Sequence, residues 1–279
     1  MKNLQCGAFR LSLERPLVMG IVNLTPDSFS RDGLDDDLEM AVAHARQQLD
    51  AGADILDIGA ESSRPGAIAT PEDEELRRLL PLLERIVDWG VPISVDTYKP
   101  AVMRAALAAG ATMINDIAGL RYPGALEAVQ GSDCAVCVMH MQGEPGSMQQ
   151  APSYRDVVAE VSAYLEEKAT LCRQVGIAAD RIVLDPGFGF GKALEHNLAL
   201  FRALPQFVES GYPLLVGVSR KTMLGAITGR PVEQRQAASV AAALLAAQKG
   251  AKILRVHDVA ATRDALAMLA AIEQGEKNE

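Results

Sequence analysis

The chain has 279 residues, 49% of them apolar, and an α/β barrel typically needs about 250 residues, so a single full-sized core is expected. A formal net charge of −9, with no run of Lys or Arg, repels a phosphate backbone and excludes nucleic acid as a partner. No long apolar stretch follows Met1-Lys2-Asn3-Leu4-Gln5, residues 16–24 are interrupted by Gly20 and Asn23, and four cysteines are too few for a disulfide scaffold; a cytoplasmic protein with no signal peptide and no membrane partner is expected.

At the N-terminus, Phe9, Leu11 and Leu13 alternate with Arg10, Ser12 and Glu14, the two-residue period of a strand, which places residues 1–16 in a hairpin across the bottom of the fold. From Pro16 onward, short β-rich runs occupy 17–22, 54–58, 91–95, 112–114, 135–139, 181–184, 214–218 and 252–256. Between them, segments of helical period cover 38–51, 71–89, 100–109, 124–129, 154–175, 193–207, 232–249 and 260–274. Gly52-Ala53, Gly110-Ala111 and Gly250-Ala251 each close a helix and open a strand, and Thr70-Pro71-Glu72-Asp73-Glu74 carries a cap residue, a first-turn proline and first-turn acids. Alternating units of this number argue for a parallel sheet closed on itself, an α/β protein of the (β/α)8 TIM barrel type. One domain, 1–279, is expected: the N-terminal hairpin 1–16, the barrel 17–272 and a tail 273–279. Cys134-x-x-Cys137 runs into the strand at 135–139, where residues three apart face opposite ways, and lacks the helix start a redox pair needs.

In such a barrel, chemistry sits at the carboxyl ends of the strands. The residues there are Asn23, Glu61-Ser62-Ser63-Arg64, Asp96, Asn115-Asp116, His140, Asp185, Ser219-Arg220-Lys221, and Arg255 with His257. Asp96 or Asp185 alone is more often a structural salt bridge or cap, and the weight comes from the convergence of the set. Asp96, Asn115 and Asp185 match the edge of a flat heterocycle carrying amino and amide groups, while Lys221, Arg64, Arg255 and His257 supply the charge that an anionic group requires. Asp185-Pro186-Gly187-Phe188-Gly189-Phe190-Gly191-Lys192 fails both phosphate-loop motifs, with Pro186 and Ala193 where a Walker loop needs Gly and Ser or Thr. It is either a loop whose glycines let the backbone approach a ligand or a tight turn with core aromatics. The polar segment 23–33, with Phe29, is either a plain connection or a lid over the reactants.

In chain order, Met19-Gly20-Ile21-Val22-Asn23-Leu24-Thr25-Pro26-Asp27-Ser28-Phe29-Ser30, Glu61-Ser62-Ser63-Arg64-Pro65-Gly66, Ser94-Val95-Asp96-Thr97, Ile114-Asn115-Asp116, Met139-His140-Met141-Gln142-Gly143, segment 185–192, Gly217-Val218-Ser219-Arg220-Lys221 and Arg255-Val256-His257-Asp258-Val259 resemble the motifs of dihydropteroate synthases. The resemblance spans nearly the whole chain. It implies a folate-biosynthesis transferase that joins 6-hydroxymethyl-7,8-dihydropterin pyrophosphate to para-aminobenzoate, uses Mg2+, works as a homodimer and is the target of sulfonamides. It further implies a pterin slot formed by Asp96, Asn115, Asp185 and Lys221, with Met139, Phe190 and Gly217 against the ring. Asn23 would ligate Mg2+, and Arg255 and His257, with Asn23 and Ser63, would hold the pyrophosphate. The aminobenzoate would lie against Phe190, Lys221 and the loops carrying Phe29 and Arg64-Pro65. Lys221, Arg255, His257, Asp96 and Asp185 are the implied catalytic residues.

Two positions depart from the family pattern. Ser63 stands where Thr is common, which keeps the hydroxyl but loses a methyl group that trims the aminobenzoate pocket. Arg31-Asp32-Gly33 stands where Asp-Gly-Gly is common. A related barrel that presents methyl-tetrahydrofolate to a corrinoid partner would share the acids without needing the first-loop signature or the Arg-x-His pair. A catalytically silent pterin-binding homologue would be separated by steady-state turnover.

Overall fold

The computed structural model describes residues 1–24, 34–62, 66–67 and 69–275. Expectations resting on Phe29, Arg31, Asp32, Gly33, Ser63, Arg64 and Pro65 fall outside those residues.

Strands β1 (Asn3–Cys6) and β2 (Phe9–Ser12) form the expected antiparallel hairpin, with Leu4 opposite Leu11. Eight parallel strands follow among the described residues: β3 (Leu17–Asn23), β4 (Ile55–Gly59), β5 (Ile93–Asp96), β6 (Met113–Asp116), β7 (Ala135–Met139), β8 (Ile182–Asp185), β9 (Leu215–Val216) and β10 (Ile253–Val256). Their order is β8-β7-β6-β5-β4-β3-β10-β9, and the ring is closed by a parallel bridge between Leu184 and Leu214. The helices are α1 (Leu34–Asp50), α2 (Glu72–Ile86), α3 (Pro100–Ala108), α4 (Ala125–Gln130), α5 (Val157–Gln174), α6 (Leu194–Arg202), α7 (Leu204–Val208), α8 (Thr222–Thr228), α9 (Gln236–Gln248) and α10 (Val259–Gly275). None is long and apolar enough to cross a membrane.

The two-residue period of the strands sorts their side chains into two cores. Val18, Leu56, Val95, Ile114, Val136, Leu184, Val216 and Leu254 face outward into the main cluster under the helices. Leu17, Met19, Ile55, Met113, Ala135, Cys137, Val183, Leu215 and Ile253 fill the lower barrel together with Leu4, Cys6 and Leu13, so the hairpin plugs the bottom. The Gly7 N–H ties it to the Asp133 carbonyl at 3.1 Å. Higher on the same inward faces the residues turn polar.

Two departures from the expected helices have local causes. The segment 193–207 divides because Pro205, which has no N–H to donate, can sit in the first turn of α7 but cannot continue α6. Helix α8 was hidden by Gly225 and two threonines, all poor helix formers; Gly225 is needed because the Arg235 guanidinium occupies the space a Cβ would take. Cys134 and Cys137 are buried free thiols whose pKa values burial raises, the reverse of a reactive pair.

Candidate active site

Three strands bring together a charged triad at the mouth. Arg255, inward on β10, donates from Nε to Asp57 Oδ2 at 2.6 Å and from Nη2 to Asp96 Oδ2 at 2.7 Å. Asn115 Nδ2 lies 3.4 Å from the same Asp57 oxygen. Burial works against the Arg255 charge, but Asp57 and Asp96 outweigh it and raise its pKa. For Asp96, burial pushes the pKa up to about 7 against the pull of Arg255, and the neighbouring carboxylates of Asp57, Glu75 and Asp116 add to the rise. Asp57 is fully buried, and its Oδ1 has no hydrogen-bond partner among the described residues.

A second group stands across the mouth. Asp185, at the end of β8, is 6% exposed and accepts the Gly187 N–H at 2.7 Å; burial raises its pKa while Lys221 and that N–H oppose the rise. Lys221 Nζ donates to the Phe188 carbonyl and lies 4.5 Å from the Phe190 ring centroid. Withdrawal from water pushes its pKa down to about 8 although Asp185 favours the charge. The turn before Lys221 is held rigidly: Arg220 has φ 59°, its N–H reaches Ser239 Oγ at 2.9 Å, and its guanidinium pairs with Asp258 at 2.8 Å. Phe190, Met139, Ile117, Met141 and Met148 form a small apolar cluster separate from the main core, a wall for a planar ligand.

The third group borders β10. His257 Nδ1 lies 3.0 Å from Ser219 Oγ, which also accepts the His257 N–H at 3.2 Å. Gln48 of α1 donates to the His257 carbonyl at 3.1 Å, linking the helix that follows the first loop to this corner. The mouth therefore offers acids and an amide for the donors of a ring, an aromatic and thioether wall for its face, and cations for an anion.

A family profile described as pterin binding enzyme matches residues 19–257. The chain is 53% identical over 267 residues to a dihydropteroate synthase of Neisseria meningitidis serogroup C, covering 94% of each, and 48% identical over 270 residues to that of Escherichia coli K12, covering 96% of each. The chain belongs to the dihydropteroate synthase family. Among solved members, the Burkholderia cenocepacia dihydropteroate synthase complexed with 7,8-dihydropteroate superposes with a TM-score of 0.91 at 52% identity, covering 99% of this chain and 98% of that one. The Xanthomonas albilineans dihydropteroate synthase with 4-aminobenzoic acid gives 0.92 at 54% identity, covering 98% of each.

Against the pterin slot expected of a dihydropteroate synthase, the fold gathers Asp96, Asn115, Asp185, Lys221, Met139, Phe190 and Arg255 at one mouth, with Gly217 facing Arg255. His257 and Asn23 border it. Sequence reasoning missed Asp57, which lies inside the strand run 54–58 and not at its end; its signal is its inward register, two residues from Ile55. It also missed Lys99, which bridges Glu61 and buried Glu75 while Tyr98 donates to Glu61 at 2.7 Å.

For Mg2+, no group of three His, Cys, Asp or Glu among the described residues is placed to enclose an ion. Mg2+ bound with a phosphorylated substrate keeps several waters and takes few protein oxygens. The Asn23 amide oxygen, beside Gly59 at the rim, is a hard donor of that kind, so this residue fits the ion.

The loop 186–191 is sensitive to its first glycine. Gly187 has φ 72°, and a Cβ there would collide with the His140 carbonyl oxygen. Gly187→Ala is expected to cost about 1–3 kcal/mol from backbone strain alone, with the clash added. Urea unfolding measures it, and a variant as stable as the parent would refute the argument.

Proposed function

We propose that this chain, as one pterin-binding barrel domain over 1–279, condenses 6-hydroxymethyl-7,8-dihydropterin pyrophosphate with para-aminobenzoate to give 7,8-dihydropteroate and pyrophosphate. The observation that carries this reading is the convergence of Asp57, Asp96, Asn115 and Asp185 with Lys221 and Arg255 in one apolar-walled mouth. The ligands named for the Burkholderia and Xanthomonas relatives support the same two halves.

The bond from the pterin methylene to the pyrophosphate oxygen breaks first, with its electron pair leaving on that oxygen and the positive charge spreading into the ring. Asp96 and Asp185 favour that electron-poor ring, and Lys221 and the Asn115 amide orient it. His257, with Ser219 fixing its imidazole, and Arg255 hold the leaving oxygens; such preorganised electrostatics is usually the largest catalytic contribution. The Asn23 amide oxygen would hold a Mg2+ ion, which when bound would supply Lewis-acid stabilisation of that charge. The aminobenzoate nitrogen then forms the C–N bond with its lone pair and sheds a proton. Phe29, Ser63, Arg64 and Pro65 are the residues proposed to contact the aminobenzoate.

A homodimer is supported by Leu245, Met268 and Ile272, large apolar residues exposed on α9 and α10. Buried free thiols suit a reducing cytosol.

The test is pyrophosphate release with dihydropterin pyrophosphate and Mg2+, with and without para-aminobenzoate, alongside chromatography of dihydropteroate. Product that requires both substrates is expected; tight pterin binding without product would overturn the reading. His257→Ala is expected to weaken binding of inorganic pyrophosphate about tenfold, since a hydrogen bond to a charged group is lost, and to leave pterin affinity nearly unchanged. Calorimetry showing unaltered pyrophosphate affinity would remove His257 from the anion site.

A further inference from the structure

The reaction as written makes no use of Lys192, yet this lysine is only 3% exposed and ends the glycine-rich loop. Its Nζ lies 2.9 Å from the Gly187 carbonyl oxygen, 2.9 Å from that of Phe190, 3.2 Å from that of His140 and 3.0 Å from His140 Nδ1. An ammonium has three protons and accepts none, so these acceptors saturate it with no carboxylate in contact among the described residues. Burial pushes Lys192 down to about 7, and burial with the nearby lysine charge pushes His140 down to about 3, which leaves the Nδ1 lone pair for the ammonium.

The carbonyls of Gly187 and Phe190 can meet at one point only if the chain between them is coiled back on itself. It is: Gly187, Gly189 and Gly191 all have positive φ, and the Phe190 N–H turns back to the Gly187 carbonyl at 3.1 Å. The same coil presents three elements to the mouth, namely the Gly187 N–H that fixes Asp185, the Phe188 carbonyl that receives Lys221, and the Phe190 ring below that lysine. Asn197 of α6 braces it from outside, accepting the Gly189 N–H at 2.7 Å and donating to the Lys192 carbonyl at 3.2 Å.

We propose that Lys192 is a positioning residue for ring recognition: its buried ammonium is the template on which 186–191 coils, and through that coil it holds Asp185, Phe190 and Lys221 in register. This deepens the pterin reading above and rests on it. The corner formed by His257 and Ser219 is supported instead by Gln48 and, through the Arg220 turn, by Ser239 and Asp258, none of which has a hydrogen bond to the coil among the described residues. Loss of Lys192 therefore separates the two halves of the substrate.

The experiment compares the wild-type protein with Lys192→Met by calorimetry, using 6-hydroxymethylpterin as a ring without its leaving group and, separately, inorganic pyrophosphate with Mg2+. The expected result is ring affinity weakened by about tenfold or more with pyrophosphate affinity within about twofold, because misplacement of recognition groups is costly while the anion corner is intact. Unchanged ring affinity in the folded variant overturns the proposal. A parallel loss of both affinities overturns it too, since that is the mark of general loosening. If Lys192→Met does not fold, Asn197→Ala, which releases the Gly189 N–H and leaves the ammonium in place, is expected to show the same selective loss at about threefold. No selective loss there overturns the proposal. A wild-type protein that binds no pterin at all overturns the pterin reading together with this one, whereas wild-type binding with an indifferent variant overturns this one alone.

Discussion

Lys221→Ala is expected to lower kcat/KM for the pterin substrate by about 10²–10³-fold while the far-UV spectrum stays that of the parent, the loss typical of one preorganised charge-stabilising group. Lys221 is the cation over the Phe190 ring whose charge Asp185 favours, so its removal takes that charge from the ring slot and the side-chain donor from the Phe188 carbonyl. The pH profile gives an independent check. The ammonium is the working form and its pKa is pushed down to about 8, so kcat/KM of the parent should fall as pH rises through that value, and Lys221→Ala should lack this basic limb. Stability responds in the opposite sense. Between about 8 in the folded state and 10.5 in the unfolded chain, the unfolded state binds more protons, so Lys221 makes the fold gain stability as pH rises across that window. Wild-type rates in the alanine variant would exclude Lys221 from the site.

Arg255→Leu is expected to cost about 3–5 kcal/mol, because it strands two carboxylates in a buried mouth. Side-chain exposure is 18% for Arg255, 0% for Asp57 and 12% for Asp96, so water does little to screen the loss. Relief should come from either of two directions. Acidic conditions protonate Asp96, whose pKa burial already raises, and Asp57→Asn added to Arg255→Leu removes the other acid, so both should recover part of the stability. Urea unfolding near neutral pH decides the matter: a loss below about 1 kcal/mol would show that the triad is solvated like a surface pair.

The strand ends were legible in the sequence because the inward columns of four strands change from apolar to polar at the height where the barrel opens. Met19 gives way to Asn23, Met113 to Asn115, Val183 to Asp185 and Ile253 to Arg255. The hairpin was legible from the alternation around Leu11, and the ring from the regular succession of units. What remained hidden depends on contacts between distant segments. Asp57 becomes a partner of Arg255 only through closure, Lys192 becomes a template only once the loop before it coils, and Lys99 bridges acids from two different elements. Helix α8 was obscured by Gly225, whose reason is a guanidinium from residue 235. The positive charge of Arg255 could be read from the sequence, but its pairing with two acids could not.

That pairing also sets an order of events. Arg255 lies 198 residues after Asp57 and 159 after Asp96, on the strand that sews β3 to β9. As the chain is made from its N-terminus, both acids emerge long before the cation that neutralises them, and an unfinished barrel must keep them wet. Geometric closure and electrical neutrality of the interior thus arrive together with the last strand, so a truncated nascent chain has no means of drying its own centre.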